Sequence, residues 1–300
     1  MHPARTLERF FQGTVSPWPY AIVRVATAGI FLVRHSDWLR PWIWLEHYRW
    51  VRGLEFTWSI AASPPLVSPL VPGLVLDETA TRWLVYVRTA LAVSLLVGAR
   101  PRACAGLLAL VSYVLFAADR YRYFHHLHLL YVSVAWLALA PLGDRLNIER
   151  AVRRAWSALR GTSSAELTAP DWSPVWPLQL LRAFVMSVYF AAGVSKLHGE
   201  WLSGHTLEHM HRVGVISGAP FATLQNWLGY AGIARLTCLS ELGLPLLLAA
   251  RPTRYAAIAL AIAFHAFLSA SMRVSTFGLQ MVVLLTVFAC ASRATGANST

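Results

Sequence analysis

The chain is poor in charge and in cysteine. Only 13% of its 300 residues are charged and 56% are hydrophobic, whereas soluble domains carry about 25% charged residues. The three cysteines form neither a C-x-x-C pair nor an even-numbered framework, which argues against disulfides and against a cysteine zinc site. All three lie in apolar runs and are interpreted as small core residues: Cys104, Cys238 and Cys290.

Several signatures of soluble enzymes are absent as well. The sequence has no G-x-S-x-G elbow, no phosphate-binding glycine loop and no dinucleotide fingerprint. Hydrolase, kinase and nicotinamide-dependent activities therefore lack their residues. The net charge is +12, but the arginines are scattered among apolar runs, so we expect no nucleic-acid partner. The N-terminus shows no cleavable signal peptide pattern.

What the chain does contain is a series of apolar runs long enough to cross a bilayer. They predict an all-α, polytopic membrane bundle of about seven or eight transmembrane helices, in contact with membrane lipid and forming a single domain over residues 1–300. The proline-rich stretch 57–76 predicts a re-entrant or interfacial segment instead. The predicted spans are residues 18–35, 82–98, 103–118, 126–141, 177–197, 229–250, 255–271 and 276–292.

The arginines of the short loops predict an orientation, because cytoplasmic loops of membrane proteins carry an excess of positive charge. They favour a cytoplasmic tail at residues 1–15 and a cytoplasmic loop at residues 142–176, with a basic amphipathic helix near 147–160. The segment 198–228 is then an extracytoplasmic loop.

Lys196 is the only lysine of the chain, and it lies at the end of the apolar run 177–197. Hydrocarbon deprives an ammonium of hydration and favours the neutral amine, so a lysine there can act as a base where an arginine cannot. Arg182 lies on the same helix within roughly 40° of the same face, with Tyr189 between them, which indicates a polar cavity. The alternative is that both cations snorkel to the interfaces.

Three further groups of ionisable residues stand out. Glu241 and His265 lie within apolar runs and need partners if they are buried. We expect a contact of Glu241 with His265 or with Lys196; simple polar contacts between helices are the alternative. His126 belongs to a histidine cluster whose members cannot converge on one metal, because helical neighbours point in different directions. Any one of them could face the cavity.

The third group is His205, Glu208 and His209, which read as H-x-x-E-H, an inverted zincin motif. On a helix the two histidines lie one turn apart, as zinc ligands do. The motif is short, and a solvated interfacial segment is the favoured interpretation. We therefore expect no metal.

The segment Arg182–Gly204, RAFVMSVYFAAGVSKLHGEWLSG, resembles the core of the vitamin K-dependent gamma-carboxylase-like family, also called the HTTM (horizontally transferred transmembrane) domain family. That family's pattern, R-x5-V-Y-F-x-A-G-x-x-K-L followed by W-x-x-G, is matched without a gap. Residues 123–149 look like its histidine helix, and His126 matches the family histidine. The family's paired asparagines are replaced there by Phe124 and His125.

The resemblance implies an integral membrane enzyme, quinol-epoxidase-like or carboxylase-like. Lys196 would deprotonate a reduced quinone of the vitamin K or menaquinone type, with His126 orienting the quinone oxygen. O2 and, for carboxylation, CO2 would be co-reactants, acting on a peptide or small substrate. The binding residues would be Arg182, Tyr189, Trp201, Glu241 and His265, the last two by a looser match.

Similarity to small bacterial-type members implies an inner (plasma) membrane location, with the N-terminus cytoplasmic and the active site toward the extracytoplasmic side. The animal carboxylases continue into a large lumenal domain, whereas this sequence ends at Thr300, so carboxylation of peptide glutamate is not expected to follow. Two alternatives stay open. One is a non-catalytic membrane protein that binds quinone or assists maturation or export of a partner peptide. The other is a haem or metal protein using His126, His265 or the His205/His209 pair.

Overall fold

The computed structural model describes residues 13–35, 78–118, 125–142, 145–160, 172–272 and 276–290. Its regular elements are α-helices, with a short 3-10 turn and one pair of two-residue strands, so the all-α prediction is confirmed. The predicted re-entrant segment 57–76 lies outside the described residues. The chain divides into two compact units, residues 20–173 and residues 174–300 with 1–19. The assignment of a single domain to residues 1–300 stays a prediction.

The described residues of the first unit form five helices, in which α2 packs on α3 and α3 on α4. Helix α4 ends earlier than the predicted residue 141, because the chain tightens into i→i−3 hydrogen bonds at residues 138–140 ahead of Pro141, which disfavours a continued α-helix. The helices are α1 (Trp18–Arg34), α2 (Glu78–Val97), α3 (Pro101–Ala118), α4 (His125–Leu137) and α5 (Ile148–Leu159).

Arg24 of α1 is fully buried and joins three segments of the first unit. Its guanidinium donates to the carbonyls of Leu95 and Leu96 at the end of α2, and to those of Arg145 and Leu146. Gly98 makes this approach feasible: its φ is +79°, and a Cβ there would lie 2.6 Å from Nη1 of Arg24. The arginine thereby satisfies carbonyls that a helix end leaves without intrahelical partners.

Helix α5 confirms the amphipathic helix predicted near 147–160. Asn147 caps it by accepting a hydrogen bond from the Arg150 amide, as N-cap residues do. Its apolar residues recur at intervals of three to four and are exposed, with Trp156 at 55% and Leu159 at 81%. An exposed apolar stripe on a basic helix is typical of helices that lie at a membrane surface. The cytoplasmic location of this segment stays a prediction.

The second unit has the order α6 to α11, with α6 packed on α9, α9 on α10 and α10 on α11. Two short strands, β1 and β2, pair as a two-stranded sheet. The elements are β1 (Thr14–Val15), β2 (Ser173–Pro174), α6 (Trp176–Val194), α7 (Gly199–Leu202), α8 (His205–Arg212), α9 (Ala219–Ala249), α10 (Arg254–Ser271), α11 (Phe277–Leu285) and a 3-10 turn (Thr286–Phe288).

Two predicted boundaries in this unit are wrong. The segment 198–228, predicted as a loop, contains α7, α8 and the first ten residues of α9. The predicted start of α9 at 229 instead coincides with a break inside it, where Gly229 has φ 64° and ψ 174°. Helix α6 ends at Val194 rather than near 197, since the amides of Lys196 and Leu197 bond to carbonyls three residues earlier. Apolar character continues past the point where the helical hydrogen bonds stop.

Three of the described helices, α6, α9 and α10, are long and apolar enough to cross a membrane. Helix α4, with 13 residues, is too short, because a hydrocarbon core of ~30 Å needs roughly 17–25 residues. The chain is therefore an integral membrane protein whose spanning helices suggest contact with lipid. The count of seven or eight spans stays a prediction.

Candidate functional site

Lys196 and Glu241 form an ion pair between the end of α6 and the middle of α9. The Nζ atom lies 2.7 Å from Oε2 and 2.9 Å from Oε1 of the carboxylate, and it donates to the Ala192 carbonyl at 3.1 Å. The side chains are only 19% and 10% exposed. Of the two contacts predicted for Glu241, the structure contains the one with Lys196.

The local fold explains how Lys196 reaches this position. It follows the C-cap Ser195, so its side chain folds back over the last turn of α6 toward the carbonyl four residues earlier. A cation at a helix C-terminus also interacts favourably with the helix dipole. The pair thus combines a helix-end interaction with a carboxylate contributed by the facing helix.

Gly193 allows α6 and α9 to come close enough for this contact. A Cβ at residue 193 would lie 2.7 Å from Cγ of Leu242, the neighbour of Glu241. On the same face the Cys238 thiol contacts the Gly193 carbonyl at 3.6 Å. Gly193 is the glycine of the A-G-x-x-K-L pattern, so the matched pattern includes the residue that allows the two helices to meet.

Trp201 lies beside the ion pair and closes one side of it. The Nζ atom of Lys196 is 5.2 Å from the centroid of the indole ring, within the range of a cation–π interaction. The indole N–H donates to the Ala234 carbonyl of α9. Glycine is required at residue 204 of this turn. Its φ is +84°, and a Cβ there would lie 2.4 Å from the backbone nitrogen of Ala231, so a residue with a side chain does not fit. The W-x-x-G sequence therefore holds the turn after α6 against α9.

Tyr189 and His265 form a second polar pair in the same unit. The Tyr189 hydroxyl and Nε2 of His265 are 2.7 Å apart, and the two residues are 3% and 2% exposed. Nδ1 of His265 has no hydrogen-bond partner among the described residues. The imidazole packs edge-on against the Phe277 ring, with the two ring centroids 5.5 Å apart. His265 is thus linked to α6 by Tyr189.

Arg182 shares the buried face of α6, as predicted, but lies at the other end of the helix. Fourteen residues of helix separate it from Lys196, which corresponds to about 20 Å. Its guanidinium donates to the carbonyls of Val287 and Cys290 and to the side chain of Gln179. The structure does not bring it together with the lysine.

No described contact joins the remaining predicted residues to the ion pair. His126 lies in the first turn of α4, in the other unit, and its side chain is outside the described residues. His205 and His209 are one turn apart on α8, as predicted, and both are exposed. Glu208 forms an ion pair with Arg212 at 2.6 Å. No group of three metal-ligating side chains occurs in the described ranges.

A family model for the HTTM domain matches residues 69–292. The matched range contains the ion pair, the Tyr189–His265 pair and the tryptophan–glycine turn. No solved structure matches the chain.

Proposed function

Because the chain belongs to the HTTM domain family, we propose that it is a membrane enzyme that acts on a reduced quinone and O2, with Lys196 as its base. The HTTM domain is associated with vitamin K-dependent carboxylase-like membrane proteins. The observation that carries the proposal is the contact of the only lysine with a largely buried carboxylate. That contact gives the lysine a proton acceptor at hydrogen-bond distance.

The ion pair explains how a lysine with a carboxylate partner can still act as a base. Transfer of one proton from Nζ to Oε1 of Glu241 along the 2.9 Å hydrogen bond produces a neutral amine and a neutral acid without changing the net charge. Surroundings that exclude water favour this neutral arrangement, because separated charges are costly there. The amine can then take a proton from a bound hydroxyl, and Glu241 holds the proton that it gave up.

The residues around the pair suit a quinol. The Trp201 indole provides an aromatic surface next to Nζ, and Val194 and Leu197 are about half exposed, so an apolar ligand could approach from the lipid. When bound, the quinol and O2 would supply the oxidative chemistry, which yields a quinone epoxide and water. The chain's own contribution is to position the quinol hydroxyl, to accept its proton and to exclude water.

The substrate beyond the quinol belongs to the same proposal. With quinol and O2 bound, the site would supply the driving force to replace a carbon-bound proton of a peptide or small substrate by CO2. We further propose, from the arginine distribution, that the N-terminus is cytoplasmic in a bacterial-type inner membrane and that Lys196 faces the extracytoplasmic side. His126 is proposed to orient the quinone oxygen.

A non-catalytic role is the second candidate, and one observation favours it. The ammonium of Lys196 already donates hydrogen bonds to Oε1 of Glu241 and to the Ala192 carbonyl and lies 2.7 Å from Oε2, so the charged form is well accommodated without any ligand. A protein that binds quinone or assists a partner peptide could use the same ion pair only to hold α6 on α9. In that case the charge of residue 196 matters and its ability to lose a proton does not.

The Lys196→Arg variant distinguishes the two functions. Arginine keeps the positive charge but cannot be deprotonated in proteins. Purified protein in mild detergent is supplied with a reduced short-chain menaquinone, and O2 consumption and epoxide formation are measured. We expect wild-type protein to form the epoxide and Lys196→Arg to lose this activity by about 10²–10⁴-fold. An Arg235→Lys variant, altered at an exposed arginine that bonds to the Leu202 carbonyl, is the matched control.

Equal turnover by wild-type and Lys196→Arg protein would refute the base role. Absence of any quinol turnover, combined with retention of a quinone that Lys196→Ala loses, would support the non-catalytic candidate. Mass spectrometry of the small molecules that co-purify with each variant provides that second measurement.

A further inference from the structure

A second polar site lies at the opposite end of α6 from Lys196. It is a cavity of about 530 Å³ between the start of α6, the α9–α10 connection and the 3-10 turn. Three arginines line it: Arg182, Arg251 and Arg254. We propose that this cavity binds a phosphate-bearing anion, with the headgroup of an anionic membrane lipid as its source. The site goes beyond the proposed quinol chemistry and does not depend on it.

The charge of the cavity is not balanced by acidic side chains. Within the described residues of this unit the acidic side chains are Glu200, Glu208 and Glu241, and none of them lines the cavity. Glu208 and Glu241 are paired with other cations. Three guanidinium groups, which stay charged in proteins, therefore face one space whose described lining has no anion.

Two of the arginines are positioned by helix ends. Arg182 donates to carbonyls at the end of the 3-10 turn. Arg254 donates through Nε to the Leu248 carbonyl and through Nη2 to the Ala249 carbonyl, at the end of α9. Carbonyls are neutral, so these bonds fix the guanidinium groups without cancelling their charge.

Donors remain for a ligand. A guanidinium has five N–H donors, and the bonds of Arg254 within the described structure use two of them. Arg251 is exposed and makes no side-chain hydrogen bond in the described part of the chain. The planar fork of arginine matches the oxygens of a phosphate and can bond to two of them at once. Arg251 and Arg254 therefore both keep donors for the oxygens of a phosphate group in the cavity that they line.

The rest of the lining favours a lipid over a free ion. The cavity has apolar walls, provided by Met186, Leu248 and Phe288. An acyl chain would cover these walls, whereas inorganic phosphate would leave them uncovered. The cavity lies where spanning helices end and begin, at Ala249 and Arg254, which is the depth of lipid headgroups. Basic pockets between transmembrane helices are known sites for anionic headgroups.

Lipid binding by purified, delipidated protein tests the proposal without any activity assay. Native mass spectrometry measures binding of phosphatidylglycerol and of phosphatidylcholine with the same acyl chains, and inorganic phosphate is added in a separate arm. We expect selective retention of phosphatidylglycerol, weakened about tenfold or more in Arg251→Gln, since one charge-assisted contact is lost. The control Arg235→Gln removes the same charge from α9, away from the cavity, and should bind as wild type.

Each outcome decides the question. Selective phosphatidylglycerol binding lost in Arg251→Gln supports the lipid headgroup. If inorganic phosphate raises the thermal stability of wild type but not of Arg251→Gln, and neither lipid is preferred, the anion site stands and the lipid source is wrong. Equal binding of both lipids with no effect of phosphate, or equal losses in Arg251→Gln and Arg235→Gln, would overturn the site. Arg251 makes no internal hydrogen bond in the described structure, so its substitution should not affect folding.

Discussion

The Lys196–Glu241 ion pair makes the most specific prediction about stability. Lys196→Met removes the cation and leaves a carboxylate that is only 10% exposed without its partner. Breaking one side of a buried pair costs 3–5 kcal/mol, and the partial exposure of both side chains places the expected loss near the lower end, at about 3 kcal/mol. The double variant Lys196→Met/Glu241→Leu removes both charges and should recover most of that loss, because apolar replacement of a whole buried pair is nearly neutral.

A double-mutant cycle measures this coupling. The free energy of unfolding of wild type, both single variants and the double variant is obtained by SDS titration in mixed micelles. The pair Arg212–Glu208 serves as the control, since it is also an ion pair of this unit but has side chains that are 74% and 35% exposed. We expect about 2 kcal/mol or more of coupling for the buried pair and less than about 0.5 kcal/mol for the exposed one.

A small coupling energy would refute the stabilising role of the ion pair, and an unfolded Lys196→Arg variant would remove the support for the base role. A coupling energy no larger than that of Arg212 and Glu208 would mean that Lys196 and Glu241 do not form a stabilising pair in the membrane. Lys196→Arg should keep the unfolding free energy within about 1 kcal/mol of wild type while losing quinol turnover. If it instead unfolds the protein, the loss of turnover cannot be attributed to the missing base.

The remaining predictions concern other contacts. Arg24→Leu should lower the unfolding free energy by about 4 kcal/mol, because the carbonyls at the end of α2 and the Leu146 carbonyl before α5 lose a charged donor; a loss below about 1 kcal/mol would contradict its anchoring role. Gly193→Ala should reduce quinol turnover more than Gly243→Ala does, since a Cβ would meet Leu242 at 2.7 Å in the first case and nothing within 4 Å in the second. Tyr189→Phe should destabilise the protein by about 1–3 kcal/mol by leaving Nε2 of His265 without its partner, and unchanged unfolding would argue against that bond.

Both members of the ion pair stand out in the sequence, but the sequence does not show that they contact each other. Lys196 stood out by its uniqueness and Glu241 by its apolar surroundings, yet the carboxylate had two possible partners. Helical periodicity defines the faces of one helix and does not state which helices are neighbours. The choice depends on the close approach of α6 and α9 at Gly193, a tertiary contact that leaves only a small residue as its signal in the sequence.

The errors in the predicted boundaries have a related cause. Hydropathy measures how much of the chain prefers lipid, and that preference continues to Leu197 although α6 ends at Val194. Conversely, the polar character of residues 198–228 predicted a loop, but polar residues also form the short interfacial helices α7 and α8. A helix ends where its hydrogen bonds change pattern, and apolar character alone does not report this.

The two ends of α6 illustrate why one position has lysine and the other arginine. Arg182 has a guanidinium group that is not deprotonated in proteins, and the carbonyls to which it donates are neutral, so the charge at that end is permanent and suits the binding of an anion. Lys196 faces Glu241, which can accept a proton, so the proton at that end can move along the 2.9 Å hydrogen bond to Oε1 while the total charge stays constant. Exchanging the two residue types would therefore harm both sites for different reasons. Arg182→Lys would lose the planar fork that reaches two carbonyls at once, whereas Lys196→Arg would keep its ion pair and lose only the proton transfer.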